Sequence, residues 1–215
     1  MSSCDFTYTH YIDTLRKARQ THTFYTFGNF PRNPDKRFVI LRHDVDAQVQ
    51  KALKMAKINY DLGIPATFFI RVHGPYNPFR QLSYEAILEI AKLGHEIGLH
   101  YEPVFYSKHG LPVEDTILFE IEMFSRMFNI EIRSIAPHQP SLSKPNMDRI
   151  REQFNDPYLP KFSKEIKYIS DSNKRWREGC MCNWTLQCDR LQMAVHPHWW
   201  NGDSLEKYLE RYKVL

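Results

Sequence analysis

RFVILRHDVD, residues 37–46, begins with a stretch typical of a buried strand, 37–42, and charged side chains follow it directly. Asp44 and Asp46 are two residues apart, so in extended backbone their side chains point to the same side. Two neighbouring carboxylates repel each other unless a cation or a shared proton relieves the repulsion. We therefore expect Arg42–Asp46 to form part of a divalent-metal site, in which one carboxylate binds the metal and the other accepts a proton.

A structural role for Asp46 is the main alternative. Asp46 stands just before the next predicted helix, and aspartate is a common helix N-cap. Both roles can hold for Asp46. Capping alone leaves Asp44 and His43 unexplained, so we favour the metal interpretation.

Strands and helices alternate on both sides of this stretch. Further strands are predicted at 66–71, 96–100, 133–136, 167–170 and 192–196, and helices at 11–20, 47–62, 83–93, 117–128 and 204–212, with Ser83 as a helix cap. This alternation indicates parallel strands joined by crossover helices, in a barrel or in an open doubly wound sheet. We divide the chain into a helical lead-in, 1–36, and one α/β domain, 37–215.

Unusual polar residues stand at the ends of the predicted strands. In addition to the two aspartates, these are His100, Glu102, His138, Asp171, His196 and His198. The carboxyl ends of parallel strands gather on one face, where functional sites are built. Convergence from five strand ends favours a barrel mouth. His100 shares a strand face with Glu96 and Gly98, which would aim it at Asp46.

The composition of the chain argues against nucleic-acid binding and against insertion into a membrane. The 215 residues suffice for one domain, and 42% hydrophobic and 25% charged residues are ordinary for a globular protein. The net charge of +4 is scattered, without the basic stripe that nucleic-acid binding needs. We see no signal peptide and no apolar run long enough to cross a bilayer, so we expect a soluble, cytoplasmic protein without membrane insertion.

Four cysteines are present, namely Cys4, Cys180, Cys182 and Cys188. The last three have C-x-C-x5-C spacing, which lacks the paired C-x2-C of structural zinc sites. In a cytosolic chain we expect free, reduced thiols.

The ordered motifs resemble those of the polysaccharide deacetylases of the NodB-homology class, carbohydrate esterase family 4. The chain looks closest to a divergent cytoplasmic branch associated with surface-polysaccharide biosynthesis. RHDVD at 42–46 resembles the first family motif, ATFF at 66–69 the second-strand signature, and GHEIGLH at 94–100 the segment whose last histidine binds metal. Residues 136–138, 171–176 and 194–196 fall where later motifs stand. The resemblance implies a single-domain, distorted (β/α)7 TIM-like barrel.

The resemblance also implies catalytic roles. Asp44 would be the general base, His196 the general acid, and Asp46 and His100 metal ligands. The family's second metal histidine is absent, because Val104 occupies the position four residues after His100. The third ligand would be His138 in the first instance, and Glu102 in the second.

Substrate contacts are implied for Glu102, Arg133, Asp171, Arg175 and Trp176. A backbone N–H near His138 would bind the acyl oxygen, and Arg175 or Arg133 could pair with Asp44. Zinc is the expected metal, although a mixed Asp/His set also admits Mn, Fe, Co or Ni.

The implied activity is metal-dependent removal of an N-acyl group, an acetyl group above all, from a sugar precursor for O-antigen or capsule. A nucleotide-linked or lipid-linked sugar would be the small-molecule partner, and no nucleic acid is expected. One alternative is a hydrolase of a non-sugar C–N bond. Another is a non-catalytic, sugar-binding accessory protein with a degenerate metal site.

Overall fold

The computed structural model describes residues 4–143 and 145–202, and the predicted helix 204–212 lies outside these residues. Within them, seven parallel strands form one sheet. The strands are β1 (Thr23–Tyr25), β2 (Phe38–Val45), β3 (Thr67–Ile70), β4 (Glu96–Tyr101), β5 (Ile135–Pro137), β6 (Lys167–Ser170) and β7 (Arg190–Val195). The helices are α1 (Tyr8–Arg19), α2 (Val49–Asp61), α3 (Gln81–Lys92), α4 (Pro103–Lys108), α5 (Val113–Phe128), α6 (Asp148–Arg151), α7 (Pro160–Ser163) and α8 (Met181–Gln187).

The sheet curls into a half-barrel. Its strand order is β5-β4-β3-β2-β7-β6, and β1 pairs with the first residues of β2. No ladder joins β5 to β6 in the described part of the chain, so the barrel wall is open between them. Single-domain α/β architecture of the (β/α)7 kind is therefore confirmed, in this incompletely closed form.

The two faces of β2 have different surroundings. Val39, Leu41 and Val45 belong to the large core shared with the helices. Phe38 and Ile40 belong to a smaller apolar cluster, which also contains Phe27, Phe69, Ala136 and Phe162. Arg42 and Asp44 have the same parity as Phe38 and Ile40, so they continue the inner face towards the carboxyl end of the strand. The interior of the half-barrel is thus apolar near the amino end of β2 and charged near its carboxyl end.

Several local predictions need correction. Ser83 does not cap α3, because its N–H already donates to Arg80 O within the first helical turn and the N-cap is Arg80. Asp46 does not cap α2, whose N-cap is Gln48 with no side-chain hydrogen bond. Five short elements have no counterpart among the predicted ones, namely β1, α4, α6, α7 and α8. None of the described helices combines the length and apolarity required to span a membrane.

Candidate metal-dependent active site

A buried ion pair lies at the carboxyl end of β2. Arg42 Nε donates to Asp44 Oδ1 at 2.8 Å, and Arg42 Nη2 donates to Asp44 Oδ2 at 2.6 Å. Alternation along the strand places the two side chains on the same face, which permits this bidentate geometry. Burial by itself would raise the pKa of Asp44, but Arg42 and His100 together hold that pKa well below its usual range. Asp44 is therefore an ionised carboxylate at neutral pH.

Asp46 and His100 face each other across the strand ends. His100 Nε2 lies 3.3 Å from Asp46 Oδ1, and His100 Nδ1 lies 2.8 Å from Ala136 O. Because a carbonyl oxygen only accepts, Nδ1 carries a proton, and Nε2 is the ring nitrogen that lies nearest the carboxylate. Asp46 Oδ1 is buried without a hydrogen-bond partner.

His138 approaches the same carboxylate oxygen. Its Nε2 lies 3.7 Å from Asp46 Oδ1, and its Nδ1 lies 4.0 Å from Glu102 Oε1. Burial lowers the pKa of His138 to about 4, so the ring is neutral at pH 7 and can act as a ligand. Glu102 forms an ion pair with Arg71 and accepts from His73 N at 2.8 Å. Glu102 therefore stands behind His138, as a carboxylate that can orient this ring.

His196 has a carboxylate on each side. Its Nδ1 is 2.6 Å from Asp171 Oδ1, while its Nε2 is 3.9 Å from Asp44 Oδ2 and 3.7 Å from Asp46 Oδ2. Trp200 Nε1 donates to Asp171 Oδ2 at 2.8 Å and fixes the orientation of that carboxylate. Burial alone would lower the pKa of His196, but Asp171, Asp44 and Asp46 raise it to about 9. His196 is therefore protonated at neutral pH, and its Nε2 proton faces the site.

The donor set at Asp46 is suited to a divalent metal. Asp46 Oδ1, a buried carboxylate oxygen without a hydrogen-bond partner, lies within 3.7 Å of one imidazole nitrogen of His100 and one of His138. Two His and one Asp are ligands that zinc and related metals accept. The hydrogen bond from His100 Nδ1 to Ala136 O is the outer contact that orients a metal-binding histidine. Asp46, His100 and His138 would therefore hold the ion.

Two arginines that were expected to contact the substrate or Asp44 lie away from the cluster around Asp46. Arg133 does not join this cluster, because it pairs with Glu131 and donates to Asn29, near Glu96 at the amino end of β4. Arg175 is exposed. The cation that pairs with Asp44 is instead Arg42, since its position on the same strand face brings the guanidinium directly alongside.

Trp176 and Asp171 also differ from their predicted roles. Trp176 stacks on Phe6, with ring centroids 6.1 Å apart, and packs edge-on against Trp200. Asp171 is fully buried and its carboxylate is used by His196 and Trp200, so it supports the histidine and does not face a sugar. His138 N donates to Tyr101 O at 2.8 Å, so this amide is not free to bind an acyl oxygen.

The sequence analysis did not predict the observed roles of three residues of the site, Arg42, Arg71 and Asp171. Arg42 could have been found from its parity with Asp44 in a strand. Arg71 follows the ATFFI strand, and a charged residue at a strand end was a usable signal. Nothing in the spacing links Asp171 to His196, which are 25 residues apart. The pairing of β6 with β7, where Ser170 is opposite Ala194, brings these two residues together.

Comparisons with known proteins identify the fold. No protein-family model matches the chain, and no curated protein matches it. A CE4 family pseudoenzyme from Bacillus anthracis matches with a TM-score of 0.52 and 16% identity, over 77% of this chain and 56% of its own. A mutant of that pseudoenzyme with restored enzymatic activity gives a TM-score of 0.53 and 16% identity, over 77% and 58%. A family 4 carbohydrate esterase from Bacillus anthracis gives 0.51 and 15%, over 94% and 82%.

The TM-scores above 0.5 establish a shared fold at low sequence identity. The chain spans less than three fifths of the length of the pseudoenzyme and more than four fifths of that of the esterase. All three are CE4 family structures, the family that the sequence motifs resemble, and the fold implied by that resemblance is the one observed.

Proposed function

We propose that this chain is a metal-dependent hydrolase that removes an N-acyl group, most simply an acetyl group, from a sugar precursor in surface-polysaccharide biosynthesis. One observation carries the proposal. Asp46 Oδ1, which has no hydrogen-bond partner, lies 3.3 Å from His100 Nε2 and 3.7 Å from His138 Nε2, and an ionised Asp44 and a protonated His196 lie beside it. A metal ligand set, a base and an acid are thus in one place.

Each side chain has a chemical task in this proposal. A divalent metal held by Asp46, His100 and His138 would polarise the acyl carbonyl and acidify a water molecule. Asp44, kept ionised by Arg42, accepts the proton of the attacking water. His196 donates its Nε2 proton to the departing amine. Asp171 holds His196 Nδ1 and so keeps the proton to be transferred on Nε2.

The proposed substrate is a nucleotide-linked or lipid-linked sugar. The expected cytoplasmic location favours such a precursor over a finished extracellular polymer. The CE4 family neighbours support carbohydrate as the substrate class, and zinc is the metal that we propose for the ligand set.

Three observations favour a second candidate, a non-catalytic sugar-binding protein. Both oxygens of Asp44 are bonded to Arg42, which lowers the carboxylate's basicity. Val104 replaces the histidine that the family motif places there. One neighbour with this fold is itself a pseudoenzyme.

Metal content and acetate release together distinguish the two candidates. We expect Asp46→Ala and His100→Ala each to lose about one equivalent of metal relative to wild type, measured by elemental analysis of protein purified without chelator or metal-affinity steps. Asp44→Asn should keep its metal but release no acetate from N-acetylated sugar nucleotides, while wild type does. Unchanged metal content in both ligand variants would contradict the site. Metal-loaded wild type that binds these sugars but is no more active than Asp44→Asn would support the non-catalytic candidate.

A further inference from the structure

A second group of metal-binding side chains is built from other elements of the fold. Cys4 precedes α1 and His10 lies in its first turn, while Cys180 is the N-cap of α8 and Cys182 lies in the first turn of that helix. One nitrogen and three sulfur atoms of these residues all lie within 4.8 Å of one another. His10 and Cys180 are buried, whereas Cys4 is exposed.

The distances within this group are close to those around tetrahedral zinc. Zinc bonds of about 2.3 Å to sulfur and about 2.0 Å to nitrogen place two sulfurs about 3.8 Å apart, and a sulfur and a nitrogen about 3.6 Å apart. Cys4 Sγ and Cys182 Sγ are 3.6 Å apart, and His10 Nε2 and Cys180 Sγ are 3.1 Å apart. Small side-chain rotations would complete the tetrahedron.

The chemistry of the ligands selects the metal. Three thiols and one imidazole make up the Cys3His set of structural zinc sites. Sulfur ligands disfavour magnesium, calcium and manganese, which prefer oxygen. Four protein ligands leave no open position for water or substrate, in contrast to the three-ligand site at Asp46.

We propose that Cys4, His10, Cys180 and Cys182 bind a structural zinc ion, in addition to the metal of the active site. Binding would release the three thiol protons to solvent. The spacing of Cys180, Cys182 and Cys188 gave no such indication, because the other two ligands come from the opposite end of the chain. Cys188 lies outside the group.

The zinc would fasten the amino-terminal segment to α8. In that segment, Phe6 stacks on Trp176 and packs edge-on against Trp200, and Phe6 O accepts from Asn201 N at 2.8 Å. Trp200 in turn donates to Asp171. The zinc therefore supports, through two layers of aromatic rings, the carboxylate behind the proposed general acid.

A disulfide between Cys4 and Cys182 is the chemical competitor. Their sulfurs are 3.6 Å apart, whereas a disulfide requires about 2.05 Å. A disulfide would also leave Cys180 and His10 without a role, while a zinc ion uses all four side chains.

Cobalt substitution tests the site, because only sulfur ligands give Co²⁺ a thiolate-to-metal charge-transfer band in the near ultraviolet. We expect cobalt-loaded wild type and Asp46→Ala to show this band, since the Asp46 site contains no thiolate. Cys4→Ser and Cys182→Ser should lose most of its intensity and each bind about one zinc fewer by elemental analysis. Cys188→Ser, the matched control, should behave as wild type.

The outcomes separate this proposal from the proposed function. Absence of the band in reduced, cobalt-loaded wild type, or equal zinc content in wild type, Cys4→Ser and Cys182→Ser, would overturn the structural site. An intact mass two hydrogens below that of the reduced chain, found without reductant in wild type and in Cys188→Ser but not in Cys4→Ser or Cys182→Ser, would assign the pair to a disulfide instead. Cys4 is exposed, so its replacement tests the site without opening the core.

Discussion

At the scale of single residues, the site moves the pKa of Asp44 and the pKa of His196 further apart, the first downwards and the second upwards. Asp44 is ionised because a guanidinium lies against it, and His196 is protonated because three carboxylates surround it. Opposite environments thus give neighbouring groups opposite roles, which is how a base and an acid are assigned within one site.

Asp171→Asn tests the support of His196. The amide keeps the size of the side chain but removes the charge behind the imidazole, so we expect kcat to fall by about 10²- to 10⁴-fold with metal content unchanged. Steady-state kinetics and elemental analysis measure the two quantities. Asp156→Asn is the matched control, since Asp156 is equally buried but pairs with Arg151. A kcat within about twofold of wild type would exclude this role for Asp171.

The position of a site residue could be predicted from the sequence where the alternation of side chains along one strand determines it. Strand parity predicts that Asp44 and Asp46 point the same way, and alternation along β4 aims His100 into the same barrel mouth as Asp46, from which it lies 3.3 Å away. The motif resemblance gives Asp171 a substrate role, whereas its partner in the structure, His196, is fixed by the pairing of β6 with β7. The spacing of residues along the chain does not reveal which strands pair with each other.

At the scale of elements, β4, which carries His100, packs unusually closely against its neighbours at Gly98. A Cβ on Gly98 would lie 2.6 Å from Phe69 Cδ1 and 2.8 Å from Ser134 O. Phe69 belongs to β3, and Ser134 directly precedes β5. Only glycine therefore lets β4 lie between these two neighbours, two residues before the proposed ligand.

Gly98→Ala should consequently damage both stability and metal binding. We expect a loss of about 1–3 kcal/mol in the free energy of unfolding from overpacking, together with weaker metal binding as His100 moves. Urea denaturation and metal titration measure the two effects. Gly94→Ala is the control: its φ of +84° is strained for alanine, but no atom lies within 4 Å of the added carbon. It should lose about 1 kcal/mol and keep its metal affinity. Equal metal affinity in the two variants would contradict the argument.

Strands and helices were predicted correctly where the periodic pattern of hydrophobic residues extends over enough residues. Strands β2, β3, β4, β6 and β7 and helices α1, α2, α3 and α5 have at least four residues each, over which periodicity can show. β1 contains three residues and no alternation to detect, and only its pairing with β2 makes it a strand. α4 has six residues and begins at Pro103, directly after β4.

At the scale of the whole molecule, stability depends on a histidine with no proposed catalytic role. His43 is fully buried on the outer face of β2, where it stacks on Phe68 and lies 3.0 Å from Asn59 Nδ2. Because the Asn59 amide donates, His43 Nε2 must be an acceptor and the ring neutral. Burial lowers the pKa of His43 to about 3.

This pKa predicts acid sensitivity. In the unfolded chain a histidine titrates near pH 6.5, so between pH 6.5 and 3 the unfolded state binds more protons and the folded state loses stability as pH falls. From pH 7 to pH 5 the contribution of His43 is a loss of about 2 kcal/mol. His43→Gln, which can still accept from Asn59, should reduce the loss by that amount in urea titrations at the two pH values. His109→Gln, at an exposed site, should not. Equal losses in wild type and His43→Gln would show that His43 is not responsible.

The opening between β5 and β6 has a further consequence, for the behaviour of the protein in concentrated solution. Unpaired strand edges are templates on which chains associate into fibrils. Here β5 has only three residues and ends at Pro137, which has no N–H to donate, and Ile135 N already donates to Asn155 O. β6 has four residues and begins with Lys167. The half-barrel therefore leaves its wall open without offering a long, adhesive edge to other copies of the chain.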